Sequence, residues 1–472
     1  MKLKLQIFAV LFLFSCKNSI NAQTSAKLYQ NYEQYKEASI SKKRFKHADI
    51  VPLIKKRQNH PLYKVIKAGE SVEGRDIYML RLGTGKAKVL LWSQMHGNEP
   101  TATMAILDIF NFFEQNDALN DLRKKLLDNL SLYFIPMLNP DGADRFIRQN
   151  AMGVDLNRDA LRLQNPEARI LKQAQQSIQP EWGFNLHDQS RYYAAGRSNK
   201  PASLSFLAPA FNEEKSVDGK RADAMRLIVT MNDILQPYIP GQIAKYSDAF
   251  EPRAFGDNIQ KWGTRTILIE SGGQYKDPEN QYLRKLNFIA LMGAFESIMN
   301  QTYEENTLKS YDAIPYNNRS LYDLIIREAI VIKNGERFKL DLAFNRAENQ
   351  GATGLYYQGQ LAYIGDLSVA YGYEELDAKG YTVQLGKTHP LTFETVSDAT
   401  QTSFEEYYRQ GYTNLKVLQS LPQEQLEQYP VQFLEKKEKA DADIRLWSNP
   451  NFFLIKNGKK EYVVVNGKLY KL

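Results

Sequence analysis

Three side chains of the types that hold metal ions stand at the ends of apolar segments. His96 and Glu99 are three residues apart in Met95-His96-Gly97-Asn98-Glu99-Pro100, just after the apolar run Lys88–Ser93. His187 closes a later run, Phe184-Asn185-Leu186-His187. An imidazole and a carboxylate at that spacing can grip one ion from a tight loop. A second imidazole completes a three-ligand zinc site, one ion per chain, with a fourth position left for water or substrate. Neither the His-x-x-Glu pair nor a lone histidine is decisive, because both are common as ordinary hydrogen-bonded polar groups. Yet the chain has only five histidines, and two of them sit at comparable strand ends.

Such convergence needs a sheet whose strands end side by side, since open α/β sheets bind ligands beyond the carboxyl ends of their strands. The sequence reads that way. Gly74–Leu82 is an alternating strand, and Lys88–Ser93 and Leu130–Met137 are apolar enough to be covered on both faces. Trp182–Leu186 and Thr266–Ile269 are further buried strands. Helical spacing runs over Thr101–Phe113, with Pro100 at its start, and over Pro166–Ser177, Val217–Leu235 and Tyr282–Met299. Asn139-Pro140-Asp141-Gly142 reads as a turn, and Thr24–His60 as a polar, helical stretch. Alternating strands and helices predict an α/β domain with a mixed or largely parallel sheet. From about Gln301 the pattern changes to short strand-like runs. Asn457-Gly458 and Asn466-Gly467 mark hairpins there.

Five blocks occur in order along the first domain: His96-Gly97-Asn98-Glu99, Asn139-Pro140-Asp141-Gly142, Gly153-Val154-Asp155-Leu156-Asn157-Arg158, His187, and Ile269-Glu270-Ser271-Gly272. This set resembles the zinc carboxypeptidase family of carboxypeptidase A-like metallopeptidases, over about Tyr32 to Asn300. The resemblance implies a central mixed eight-stranded sheet flanked by helices. It implies that His96, Glu99 and His187 bind zinc, and that Glu270 takes a proton from water and passes it to the leaving amine. Arg148 matches the arginine that stabilises the oxyanion, with Arg145 as a nearby competitor. Asn157 and Arg158 match the pair that holds the substrate's terminal carboxylate, which makes a peptide with a free C-terminus the expected partner. Tyr246 is the best candidate for the substrate-covering tyrosine, against the alternative of a core tyrosine.

Three positions depart from the family pattern. Asp159 stands where relatives carry asparagine, adding negative charge beside the carboxylate pocket. Asp188-Gln189 follows His187 in place of Ser-Tyr, and the tyrosine match is ambiguous. The residue that sorts substrate side chains is expected near Phe255–Asp257. Two rivals share parts of the pattern. One is a zinc deacylase of N-acyl amino acids, aspartoacylase-like; the other is a non-catalytic relative that only binds peptide ends.

The N-terminus has its own logic. Lys2 and Lys4 precede the apolar run Leu5–Phe14, which is the pattern of an export signal. Leu13-Phe14-Ser15-Cys16 resembles a bacterial lipobox, while Ile20-Asn21-Ala22-Gln23 offers ordinary cleavage. The protein is therefore expected to be exported: periplasmic, secreted or an outer-membrane lipoprotein. Its only membrane contact would be a lipid on Cys16, the one cysteine, which also rules out an intramolecular disulfide. The formal charge of +7 is scattered rather than grouped, so no nucleic-acid face is expected. The expected organisation is a signal over 1–22, a catalytic domain over 27–300, a linker over 301–320 and a β-rich accessory domain over 321–472, with a helical insertion near Ser403–Lys436.

Overall fold

The computed structural model describes residues 23–351, 354–420 and 422–472. The segment expected as an export signal, 1–22, and with it Cys16, lies outside the described residues. The chain divides into two compact units, 1–319 and 320–472.

The first unit is built on an eight-stranded mixed sheet. Its strands are β1 (Tyr63–Glu70), β2 (Asp76–Leu82), β3 (Ala87–Ser93), β4 (Leu130–Ile135), β5 (Trp182–Asp188), β7 (Leu204–Leu207), β8 (Ile243–Lys245) and β9 (Arg265–Ser271). A short β6 (Tyr193–Ala195) lies outside it. The sheet order is β1-β2-β4-β3-β5-β9-β7-β8, and β4, β3, β5 and β9 run parallel in the middle. These four strands are apolar because helices cover both faces. On one face Val89, Leu91, Phe184, Leu186, Ile267 and Ile269 pack against the helices Thr101–Glu114, Gly219–Leu235 and Gln281–Asn300. On the other, Leu90 and Trp92 meet Ala168 and Leu171 of the helix Pro166–Ile178, with Phe255 and Ile259 of the helix Phe255–Lys261.

Several local expectations change. Asn139-Pro140-Asp141-Gly142 starts a short helix, Pro140–Arg145, rather than a turn, because the Asn139 side chain accepts from Gly142 N at 2.9 Å and caps it. Pro100 is the capping position of its helix, one residue before the first turn. Thr24–His60 is helical only over 23–31 and His47–Lys55, apart from a single 3-10 turn at Tyr32–Gln34. Residues 301–319, expected as a linker, instead pack on the first unit. They form a 3-10 turn, the helix Leu308–Asp312 and β10 (Asn317–Arg319), which pairs with β6.

The irregular stretch between those N-terminal helices is held by a buried ion pair. Arg284 and Asp108, both fully buried, meet with Nε donating to Oδ2 at 2.7 Å. Asp108 also accepts from Tyr32 Oη (2.7 Å) and Glu37 N (2.8 Å), while Arg284 donates to the Glu37 carbonyl (3.0 Å). Burial raises the Asp108 carboxyl even against its arginine, so the pair is stable only while every lone pair is used.

The second unit carries its own eight-stranded sheet: β11 (Leu321–Lys333), β12 (Glu336–Gln350), β13 (Leu355–Gly365), β14 (Tyr371–Asp377) and β15 (Thr382–Leu385), joined by β19 (Phe452–Lys456), β20 (Lys459–Val465) and β21 (Lys468–Lys471). Both foreseen Asn-Gly turns are hairpins with positive φ at each residue, and a third, Asn334-Gly335, joins β11 to β12. The segment expected as a helical insertion is not purely helical. It alternates short helices with β17 (Tyr412–Val417) and β18 (Gln432–Glu435), which extend β16 (Lys387–Phe393) into a three-stranded parallel sheet.

Replacing one partner of the buried pair, Arg284→Met, strands the Asp108 charge and is expected to cost about 3–5 kcal/mol of stability. Chemical denaturation checks this; a loss below about 1 kcal/mol would show that the pair does not hold the N-terminal segment.

Candidate metal centre

The ends of β3, β5 and β9 bring the chemistry together. Gln94, at positive φ, turns the chain out of β3, and its side chain donates to the Gly97 carbonyl at 3.0 Å. This sets the loop that carries His96 and Glu99. Gly97 is obligatory there: a Cβ would lie 2.0 Å from the Gly142 carbonyl carbon. The His-Gly-Asn-Glu and Asn-Pro-Asp-Gly blocks are thus two halves of one backbone contact. The second block is itself anchored, because buried Asp141 accepts from Ser71 Oγ and Arg75 Nη1, both at 2.7 Å.

His96, Glu99 and His187 converge, with one ligand atom from each lying within 4.8 Å of the others. His96 Nδ1 is 2.8 Å from Glu99 Oε1, and His187 Nδ1 is 2.7 Å from Glu99 Oε2. The two Nδ1 atoms are 3.1 Å apart, and two ring nitrogens facing each other so closely need a shared cation or proton. On its far side, His96 Nε2 meets Asp155 Oδ1 at 2.9 Å. A proton held there leaves the Nδ1 lone pair free for a metal, the usual outer-shell arrangement of a ligating histidine. Two imidazoles and a carboxylate, buried and oriented this way, fit zinc.

The charges are arranged for a cation. Burial would raise the Glu99 carboxyl, but His96 and His187 outweigh it and hold it well below the usual carboxylate range. Burial would likewise raise Asp155, but His96 and then Arg148 bring it far down. Glu270 lies in register with His187 across β5 and β9. Burial, followed by the charges of Glu99 and Asp188, pushes its carboxyl well above the ordinary value. Asp188 is pushed up to about 7, mainly by burial.

The other expected residues fall out as follows. Arg148 reaches the cluster, with Nη1 3.1 Å from Glu99 Oε1 and Nη2 3.0 Å from Asp155 Oδ2. Its competitor Arg145 pairs with Glu73 and stays away. Asn157 accepts from Phe255 N through Oδ1 at 2.8 Å, which ties it to the start of the helix Phe255–Lys261. Arg158 is partly exposed and lies 3.3 Å from Glu251, which Arg253 also holds. The Tyr246 hydroxyl is pushed up to about 12 by burial and then by the charge of Glu270. Asp159 does not charge the pocket: it is buried and accepts from Gln164 N, Asn165 N and Asn165 Nδ2, which fold its own loop. Asp188 accepts from Thr101 N and Oγ1 and donates its own N–H to Glu99 Oε2 (3.2 Å). Gln189 turns towards Ala202 O and Ser205 Oγ.

Reading the sequence missed Asp155, Glu251 and Gln94. Asp155 stood inside a quoted block, where a carboxylate between a glycine turn and Asn-Arg was the available signal. Glu251 and Gln94 gave none, since their partners are distant or backbone.

Residues 53–203 match the family model described as zinc carboxypeptidase. That stretch holds His96, Glu99, Arg148, Asn157, Arg158 and His187, but not Glu270. The chain is similar to Carboxypeptidase 2 of Trichophyton tonsurans, 28% identical over 142 residues, covering 28% of this chain and 25% of that protein. It is similar also to a zinc carboxypeptidase of Saccharothrix mutabilis subsp. capreolus, 32% identical over 122 residues, covering 21% of this chain and 28% of that one. The chain thus spans about a quarter of the length of these relatives. Among solved structures it resembles a metallo-carboxypeptidase from Burkholderia cenocepacia, with a TM-score of 0.44 and 20% identity, covering 55% of this chain and 70% of that chain.

Asp155, at His96 Nε2, orients the His96 ring. Asp155→Asn keeps an acceptor for Asn157 N but loses the charge, and zinc affinity is expected to fall about 10–100-fold in chelator competition. Unchanged affinity would remove Asp155 from the site.

Proposed function

We propose that this chain, placed by residues 53–203 in the zinc carboxypeptidase family, removes the C-terminal residue from peptides. The observation that carries the reading is the register of β5 and β9, which puts Glu270 beside the ligand His187, on a buried edge that also presents Arg148. A zinc ion held by His96, Glu99 and His187 supplies Lewis-acid chemistry, lowering the pKa of a water and polarising a carbonyl.

The chain's own groups do the rest. Glu270, buried and in no ion pair among the described residues, is the base that takes the water's proton and returns it to the leaving amine. Its raised affinity for a proton suits both halves of that task. Arg148 is anchored to Asp155, so its guanidinium is fixed before charge develops on the scissile oxygen. Asn157 and Arg158 receive the terminal carboxylate, and Glu251 holds the Arg158 fork until a substrate arrives. Tyr246, whose hydroxyl feels the charge of Glu270, covers the bound substrate.

The test uses one peptide in free-acid and C-terminally amidated forms. Amidation is expected to lower kcat/KM by at least about 100-fold, because Arg158 loses its ionic partner. Glu270→Gln should retain zinc and lose about 10²–10⁴ in kcat on the free acid. Equal rates on both forms would show that the enzyme does not read chain ends, and wild-type turnover by Glu270→Gln would assign the base elsewhere.

Export is part of the proposal. Lys2, Lys4 and the run Leu5–Phe14 support it, with Cys16 placed for a lipid anchor. Intact-mass analysis from the native host should show a chain beginning at a lipidated Cys16 or near Gln23; a chain beginning at Met1 in the cytoplasm would contradict it.

A further inference from the structure

We infer that the second unit holds a binding site for a neutral sugar ring, in a cavity of about 210 Å³ lined from strand β13, the helix Gln423–Leu426, strand β18 and the loop that leads to it. All of the lining residues belong to that unit, and none takes part in the metal centre. The inference stands whether or not the peptidase reading does. The cavity is smaller than the roughly 300–1,000 Å³ of sites for drug-sized molecules and suits one six-membered ring.

Tyr356, Tyr429 and Phe433 give the cavity its apolar surface. The Tyr429 ring is set by its neighbours. It meets Phe433 edge-on, with centroids 5.2 Å apart and planes at 86°, and Phe404 at 6.3 Å. Rings at right angles do not form the two parallel walls that sandwich a planar base. A single aromatic face does suit the C–H face of a sugar, because the negative face of the ring attracts those slightly positive hydrogens.

Two amides on the cavity wall are oriented by the protein and left half used. Asn449 donates through Nδ2 to Asn466 Oδ1 at 3.0 Å, so its own Oδ1 is the atom left over. That Oδ1 is withdrawn from water and has no hydrogen-bond partner among the described residues. A buried acceptor of this kind calls for a donor from outside. Asn466 is itself fixed, accepting from Gly359 N at 2.6 Å and donating to the Tyr357 carbonyl at 2.8 Å. Gln432 is turned the opposite way: its Oε1 accepts from Asn451 Nδ2 at 2.6 Å, which leaves Nε2 as a donor. The cavity thus offers one fixed acceptor and one fixed donor. Hydroxyls on a sugar ring answer both, since each can give and accept a hydrogen bond.

Charge decides against the rival ligands. Among the described residues no lysine, arginine or histidine lines the cavity, so a phosphate or carboxylate finds no cation there. Glu427 and Glu438 do line it. They are engaged by the backbone, at Tyr357 N (2.5 Å) and Glu435 N (3.1 Å), and their charges repel an acidic sugar. A hydrocarbon would leave Asn449 Oδ1 unpaired.

The experiment titrates the full chain, by ligand-observed NMR, with methyl glucoside, N-acetylglucosamine, glucuronic acid and adenosine. At least one of the two neutral sugars should bind at least about 10-fold more tightly than glucuronic acid and adenosine, and which one it is tells a plain hexose from an N-acetylated one. Tyr429→Ala should weaken that binding at least about 10-fold with zinc content unchanged, while Tyr429→Phe, which keeps the ring, should stay within about 3-fold of wild type. Binding of neither neutral sugar, a margin below 10-fold over the acid or the nucleoside, undiminished binding in Tyr429→Ala, or equal loss in Tyr429→Phe overturns the inference. Should Tyr429→Ala not fold, the same comparison of Tyr356→Ala with Tyr356→Phe decides it.

Discussion

Burying several carboxylates at one sheet edge is the constraint that shapes the first unit. Glu99, Asp188 and Glu270 are withdrawn from water at the ends of neighbouring strands, and Arg148, which reaches Glu99, is partly exposed and shared with Asp155. Burial comes first in raising Asp188 and Glu270, and the charge of Glu99 adds to it as negative charge in excess. A divalent ion between two imidazoles and Glu99 relieves that excess. The surrounding structure reads as the scaffold that makes such an edge tolerable.

The parallel order β4-β3-β5-β9 is what brings these groups to one edge. Parallel strands end together, so residues 91 positions apart, His96 and His187, come within hydrogen-bond distance. The packing below the edge is apolar and dense, which leaves orientation to the polar shell. Gln94 sets the loop, Asp155 sets the His96 ring, and the close approach of Gly97 to Gly142 locks two distant segments together.

The central strands and long helices were legible because double-sided burial writes continuous apolar runs into Val89–Trp92 and Thr266–Ile269. The ligands were legible because they follow such runs directly. What was not legible depends on contacts distant in sequence. Strand β1, Tyr63–Glu70, has Lys64 and Lys67 three apart and no alternation of burial, and β6 and β8 are three residues each, too short to carry a period. The parallel strand β17 has Thr413 and Asn414 buried inside it, so its polar letters hid a strand within an apparent helical insertion. Asp159 looked like pocket charge because nothing local shows that three N–H groups of its own loop consume it. Asn334-Gly335 carries the same signal as the two foreseen hairpins and was open to the same reasoning.

The most direct test of the account is X-ray absorption at the zinc edge of the zinc-loaded chain. The account predicts one ion per chain with two imidazole nitrogens at about 2.0–2.1 Å and carboxylate oxygen at about 2.0–2.2 Å, and loss of one imidazole from the spectrum of His187→Ala. A chain that binds no stoichiometric zinc, or a wild-type spectrum that is unchanged in His187→Ala, would contradict it.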